Sequence, residues 1–216
     1  MNNVLKIKVC GNQNQNNTLD VIKLNPDMMG FIFFKPSSRY CNPNDLDIYI
    51  NAVDSDILKI GVFVNESVEN VLQITKQLNL DIIQLHGDET VDYCTQIDLN
   101  TEAKIIKVFR IDDRFNFDQT ALFLEVCDYY LFDTKTIKYG GSGKKFNWQT
   151  LNQYTAQKPF ILSGGITPND LNKILDINHN QLIGIDINSG FESCPGIKDI
   201  DKLSKFISEI RKQHEL

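Results

Sequence analysis

Eight short apolar runs recur along this chain, and nearly every residue in them is hydrophobic. They read Val4–Val9, Gly30–Phe34, Ile60–Val64, Asp81–Leu85, Lys104–Phe109, Tyr129–Phe132, Phe160–Leu162 and Leu182–Ile187. Continuous rather than alternating hydrophobicity marks strands covered on both faces. The stretches between them show helical spacing, clearest at Val68, Val71, Leu72 and Leu78. Ser67 is placed as an N-cap for that helix, and Pro168 as the first residue of another with Asp170 in its first turn. Ile200 to Ile210 forms a last amphipathic stretch. Strand and helix alternate at roughly 25 residues per unit, which requires a parallel sheet with helices packed outside it. Eight such units close on themselves, so the expectation is one compact (β/α)8 TIM barrel over residues 1–216. No linker or low-complexity tract interrupts it, and the amide-rich stretch from Asn12 to Asn17 is the nearest thing to a flexible loop.

Composition narrows the function classes. The net charge is −6 and no run of lysine or arginine exists, which argues against nucleic-acid or polybasic membrane binding. A small anion can still be held locally by backbone N–H groups. No apolar run approaches the roughly 20 residues of a membrane span, and Met1 to Gly11 has no secretory pattern, so a soluble cytoplasmic protein is expected. The five cysteines are irregularly spaced without CxxC, which predicts reduced thiols. No cluster has metal-ligand spacing, so neither a metal nor a cofactor is expected.

A barrel places its chemistry at the C-terminal strand ends and the loops that follow. In order, those ends are Cys10, Lys35, Asn65, His86, Arg110, Asp133, Ser163 and Asn188. Glycine-rich turns follow the last three strands: Gly140–Gly141–Ser142–Gly143, then Ser163–Gly164–Gly165, then Asn188–Ser189–Gly190. One such turn alone reads more readily as a tight strand-to-helix connection. Three after adjacent strands read as a phosphate site, because glycine lets the backbone approach an anion and aim N–H groups at it. Cys10 at a ligand-binding mouth reads as a reactive thiolate rather than an inert core thiol. Asp133, leaving a buried strand, is placed to be a partly desolvated acid of raised pKa, its alternatives being an N-cap or a partner of Lys135. Asp186, between two isoleucines, has a structural or site-polarising role. His86 reads as a satisfied hydrogen-bonding histidine near the site, with no partner evident in sequence. Arg39 could clamp a carboxylate with its planar fork.

These residues stand in an ordered set of motifs: KVCG at Lys8–Gly11, GFIFFKPSSRY at Gly30–Tyr40, GVFVN at Gly61–Asn65 and IIQLHGDE at Ile82–Glu89. LFDT at Leu131–Thr134, GGSGKKFNW at Gly140–Trp148, LSGGITPNDL at Leu162–Leu171 and IDINSGFESCPGIKD at Ile185–Asp199 complete it. Across essentially its whole length the chain resembles the phosphoribosylanthranilate isomerases of tryptophan biosynthesis. The resemblance implies an Amadori rearrangement of N-(5-phosphoribosyl)anthranilate to 1-(2-carboxyphenylamino)-1-deoxyribulose 5-phosphate. It implies Cys10 as general base, with a depressed pKa or activation on binding, and Asp133 as general acid. It further implies Arg39 on the anthranilate carboxylate and the phosphate at Gly143, Gly164, Gly165, Ser189 and Gly190, with His86, Asp186 and Asn188 in the binding site. The chain departs from the family pattern in its Asn12–Asn17 amides and at Ser38. Other phosphosugar barrels would carry a lysine–glutamate pair or an aspartate pair at the strand ends, and a non-catalytic metabolite sensor is the alternative from another class. Monomer and homodimer both remain open.

Overall fold

The computed structural model describes residues 5–53, 56–135 and 145–212. Eight parallel strands form a closed barrel in sequential order. They are β1 (Lys6–Cys10), β2 (Met28–Ile32), β3 (Leu58–Phe63), β4 (Ile82–Leu85), β5 (Lys104–Ile111), β6 (Tyr129–Thr134), β7 (Phe160–Leu162) and β8 (Leu182–Ile187). The helices between them are α1 (Gln15–Ile22), α2 (Pro43–Asp47), α3 (Val68–Leu78), α4 (Val91–Asp98) and α5 (Leu171–Leu175). After β8 the chain adds a small antiparallel pair, β9 (Glu192–Cys194) and β10 (Ile197–Lys198), before the last helix α6 (Ile200–Lys212). Closure is made by β1 against β8, with Lys8 opposite Asp186.

Because side chains alternate across a strand, the barrel wall separates two cores. Met28, Ile60, Ile82, Ile106, Val108, Leu131 and Ile161 fill the interior. Ile7, Val9, Phe132, Phe160, Leu203, Phe206 and their neighbours fill the layer between wall and helices. This explains the continuous hydrophobicity of the runs, since both faces of each strand are buried.

Local capping follows the sequence chemistry. Ser67 Oγ accepts from Asn70 N at 3.2 Å and starts α3, and Asn79 ends it in the left-handed conformation at φ 47°. Pro168 opens a 3₁₀ turn, Pro168–Asp170, that runs into α5. The Asn12–Asn17 stretch is not a flexible loop. Asn12 Nδ2 donates to Val9 O at 2.8 Å and Gly30 O at 3.1 Å, and Asn14 Oδ1 caps α1 by accepting from Asn17 N at 3.1 Å. Asn17 also exchanges two hydrogen bonds with the backbone of Lys198, fastening α1 to β10.

Among the described residues, two connections carry 3₁₀ segments rather than α-helix. Between β5 and β6 the cover is a 3₁₀ segment, Phe117–Phe123, and between β6 and β7 it includes another, Trp148–Gln153. Aromatic rings cover the wall beside these segments. Phe117 packs edge-on against Phe115 at 5.0 Å and Phe132 at 5.4 Å, while Tyr154 covers Phe132 at 5.1 Å and Phe160 at 5.4 Å. Phe132 is the hub of this layer and is fully buried. Phe132→Ala is therefore expected to destabilise the fold by about 3–5 kcal/mol, read as a lower midpoint in urea unfolding.

Candidate active site

The inward-facing residues at the C-terminal end of the barrel are polar, and nearly all are paired. Cys10, the last residue of β1, is 4% exposed. Two residues below it, on the same face, Lys8 is fully buried and its Nζ donates to Asp186 Oδ1 at 2.9 Å. Ser163 Oγ donates to the other oxygen of Asp186 at 3.2 Å. Burial alone would depress the Lys8 ammonium, but Asp186 overrides it and the pKa is raised. Burial pushes the Cys10 thiol up, with Lys8 the first group pulling it back. Of the two possibilities the resemblance implies, a depressed thiol pKa or activation on binding, the free protein does not show the first, because desolvation of the sulfur outweighs the neighbouring cation.

Asp133, in β6, stands three strands from β1 around the barrel. Its Oδ2 lies 3.1 Å from His86 Nε2, and its Oδ1 accepts from Thr134 N at 2.8 Å. Gln84 Nε2 lies 3.1 Å from His86 Nδ1. With the Gln84 amide donating to Nδ1, Nε2 carries the hydrogen and donates to Asp133. His86 therefore has the partner that its sequence context did not reveal. Lys135 does not pair with Asp133, since it meets Asp112 at 2.8 Å. The turn after His86 is fixed from behind by Glu89, which accepts from Gly87 N and from Asn65 N at 2.9 Å each and pairs with buried Lys107 at 2.7 Å.

Arg39 lies in the loop after β2, and Glu192 of β9 already holds it. Nε donates to Oε1 at 2.9 Å and Nη2 to Oε2 at 2.6 Å, while Nη1 makes a long contact of 3.5 Å to Ser38 Oγ. Ser37 Oγ accepts from Arg39 N at 3.1 Å and pins the loop despite the Ser38 departure. Buried Lys198 binds the same carboxylate, donating to Glu192 Oε1 at 2.7 Å and to Asn188 Oδ1 at 2.8 Å. Burial pushes the Lys198 ammonium down, and Glu192 resists it. Burial would raise the Glu192 carboxyl, but Arg39 and Lys198 hold it below its ordinary value.

After β7, Gly164 and Gly165 adopt φ of 96° and 65°, which only glycine takes without strain. Gly190 comes so close to Ile166 O that a Cβ there would lie 2.2 Å from it, so the β7 and β8 turns touch. Among the described residues no internal acceptor takes the N–H groups of Gly164, Gly165, Ser189 or Gly190. Consecutive free N–H groups in a positive-φ turn form an anion-binding nest. Gly143, and the Gly140–Gly143 turn with it, lies outside the described residues. Sequence reasoning missed Lys8, Gln84, Glu192 and Lys198 as site residues. For Lys8 a signal existed: a lysine inside an apolar strand, matched by an aspartate inside the strand that closes the barrel.

The arrangement has close counterparts. Residues 7–209 match the family described as N-(5'phosphoribosyl)anthranilate (PRA) isomerase. The chain is 41% identical over 207 residues to N-(5'-phosphoribosyl)anthranilate isomerase of Phocaeicola vulgatus, covering 96% of this chain and 98% of that one. The crystal structure of phosphoribosyl anthranilate isomerase from Thermotoga maritima superposes with a TM-score of 0.84 at 30% identity, covering 96% and 99% of the two chains. A phosphoribosyl anthranilate isomerase in complex with reduced 1-(o-carboxyphenylamino)-1-deoxyribulose 5-phosphate superposes with a TM-score of 0.81 at 26% identity, covering 96% and 99%.

The Glu192 pairing has a pH signature. Its carboxyl sits below the ordinary value of 4.5, so the pairing stabilises the fold above that pH and is lost as pH falls through the depressed folded value. Glu192→Gln strands buried Lys198 and half-buried Arg39 and is expected to cost about 3 kcal/mol at pH 7. The gap to wild type should shrink below about pH 4.5, as checked by urea unfolding at neutral and acid pH.

Proposed function

The chain belongs to the N-(5'-phosphoribosyl)anthranilate isomerase family, and from that premise we propose that Cys10 and Asp133 are the base and the acid of its reaction. The chain is an isomerase of tryptophan biosynthesis that rearranges N-(5-phosphoribosyl)anthranilate to 1-(2-carboxyphenylamino)-1-deoxy-D-ribulose 5-phosphate. The observation that carries the residue assignment is the opposition of a thiol and a carboxyl on the inner face of the barrel mouth, one ending β1 and the other in β6.

The chemistry needs two proton transfers on opposite sides of a sugar. Protonated Asp133 gives its proton to the furanose ring oxygen, the C1–O bond breaks, and the nitrogen lone pair forms the imine. The Cys10 thiolate then takes the proton from C2, the freed electron pair forms the C1=C2 double bond, and the C=N pair returns to nitrogen. The resulting enolamine tautomerises to the ketone, so no redox partner enters the reaction. Both groups stand on strand ends of a rigid wall, which supplies the positioning on which acid–base catalysis depends. His86 orients the Asp133 carboxyl.

Binding is assigned on the same reading. Glu192 occupies the Nε edge of Arg39, which leaves the Nη1 side for the anthranilate carboxylate. The phosphate takes the N–H groups of Gly164, Gly165, Ser189 and Gly190 beside Asn188, and Asp186 acts from beneath through Lys8. The family resemblance adds Gly143 to the phosphate site. Residues 1–216 act as one catalytic unit in the cytoplasm. All five cysteines are free, and among the described residues no helix is long and apolar enough to cross a membrane.

The test is turnover of phosphoribosylanthranilate generated in situ, followed by loss of its fluorescence. Cys10→Ala and Asp133→Asn are each expected to lower kcat by about 10²-fold or more with the fold intact. Arg39→Ala is expected to act mainly on KM. Wild-type protein without turnover would overturn the activity, and Cys10→Ala with unchanged turnover would overturn the base.

A further inference from the structure

Lys8 is an ammonium without solvent exposure, in a barrel whose interior apolar cluster is isoleucine, leucine, valine and methionine. A purely structural ion pair at such a place is commonly replaceable by apolar residues of similar volume without loss of stability. Its surroundings suggest a more specific task. Lys8 and Cys10 are two residues apart in β1, so both side chains project from the same face. Across from them β2 carries Gly30, whose missing side chain leaves room for both. A Cβ on Gly30 would lie 2.8 Å from Cys10 Sγ and 3.0 Å from Lys8 Nζ. The two atoms therefore border one small space, where the ammonium acts on the sulfur by its charge and pulls the thiol pKa back against burial. On its other side Asp186 Oδ1 holds Nζ at 2.9 Å, and Ser163 holds Asp186.

We propose that Lys8 is the positioning residue through which Cys10 becomes a base: its ammonium, fixed by Asp186, holds the thiolate that takes the C2 proton of the substrate. This rests on the assignment of Cys10 as base. The thiol first releases its proton to solvent water. The thiolate then forms S–H as C2–H breaks, the C–H electron pair becomes C1=C2, and the imine pair returns to nitrogen. Lys8 exchanges no proton in this sequence. Asp186 keeps it protonated, and it supplies a fixed positive charge where negative charge gathers on sulfur. The other titratable or charged groups around the pair are Asp186 on β8, Lys198 on β10, Glu192 on β9, and Arg39 and Cys41 after β2, with His86 and Asp133 across the mouth. Burial pushes the Cys41 thiol up to about 12, and its Sγ donates to Asn12 O at 2.9 Å, so it does not compete as a thiolate.

The experiment compares wild type, Lys8→Met and Lys8→Arg by two readouts. One is the pH profile of kcat and kcat/KM with phosphoribosylanthranilate. The other is the pH dependence of iodoacetamide alkylation of Cys10, resolved from the other cysteines by peptide mass spectrometry. Lys8→Met is expected to lose about 10²-fold in kcat with KM little changed. The alkylation midpoint of Cys10 should rise by about one pH unit or more, and Lys8→Arg should restore most of that shift. An unchanged midpoint in Lys8→Met overturns the proposal. The alkylation readout needs no turnover, so an inactive wild type would strike the isomerase reading and leave this test standing. If circular dichroism shows that Lys8→Met does not fold, Lys8→Gln, whose amide still donates to Asp186, carries the same expected shift and the same refutation.

Discussion

A lysine ammonium and an aspartate carboxylate, 178 residues apart in the chain, meet at 2.9 Å inside the barrel where its first and last strands join. A charge taken that far from water is tolerated only when it is paired and its remaining valences are met. Asp186 meets Lys8, Ser163 meets Asp186, and the sulfur of Cys10 borders the same small space above Gly30. This pair ties the closure of the wall to the placement of the thiol. Slipping β8 by one residue against β1 would turn Asp186 to the outer face and leave Lys8 alone in the interior.

The rest of the mouth follows the same rule, with each ionic group held by a partner on another strand or loop. One half is organised around the carboxyl of Asp133, through His86 and Gln84, with Lys107 and Glu89 bracing the turn behind. The other half is organised around Glu192, which gathers Arg39 and Lys198. The protein carries a net charge of −6, yet Lys8, Arg39 and Lys198 concentrate cations at this one end. Around Glu192 two cations face one carboxylate, so an anionic substrate meets an excess positive charge beside Arg39, with backbone N–H groups left for the phosphate.

Much of this was legible in the sequence because the physical signals were strong. Uninterrupted apolar strands can only be buried on both faces, and eight of them with tight connections leave a closed barrel as the economical topology. The strand-end positions of Cys10, His86, Asp133 and Asn188 follow from the same pattern. The failures have equally physical causes. Among the described residues the connections beside Phe132 carry 3₁₀ segments packed by aromatic rings, an arrangement that local spacing does not report. The amides from Asn12 to Asn17 looked flexible because their composition suits loops, yet the same side chains serve as caps and strand-end braces. His86 lacked a visible partner because Asp133 is 47 residues away in sequence. Lys198 and Glu192 lie in a quoted motif, but their roles depend on the β9–β10 hairpin folding back over Arg39.

The most direct test of the account is a crystal structure of this protein with the reduced product analogue bound. The account predicts Cys10 Sγ within about 3.5 Å of C2 of the sugar, with Asp133 facing the ring-derived oxygen from the opposite side. It also places the phosphate on the N–H groups of Gly164, Gly165, Ser189 and Gly190. An analogue seated with C2 turned away from Cys10, or with its phosphate elsewhere on the barrel, would contradict it.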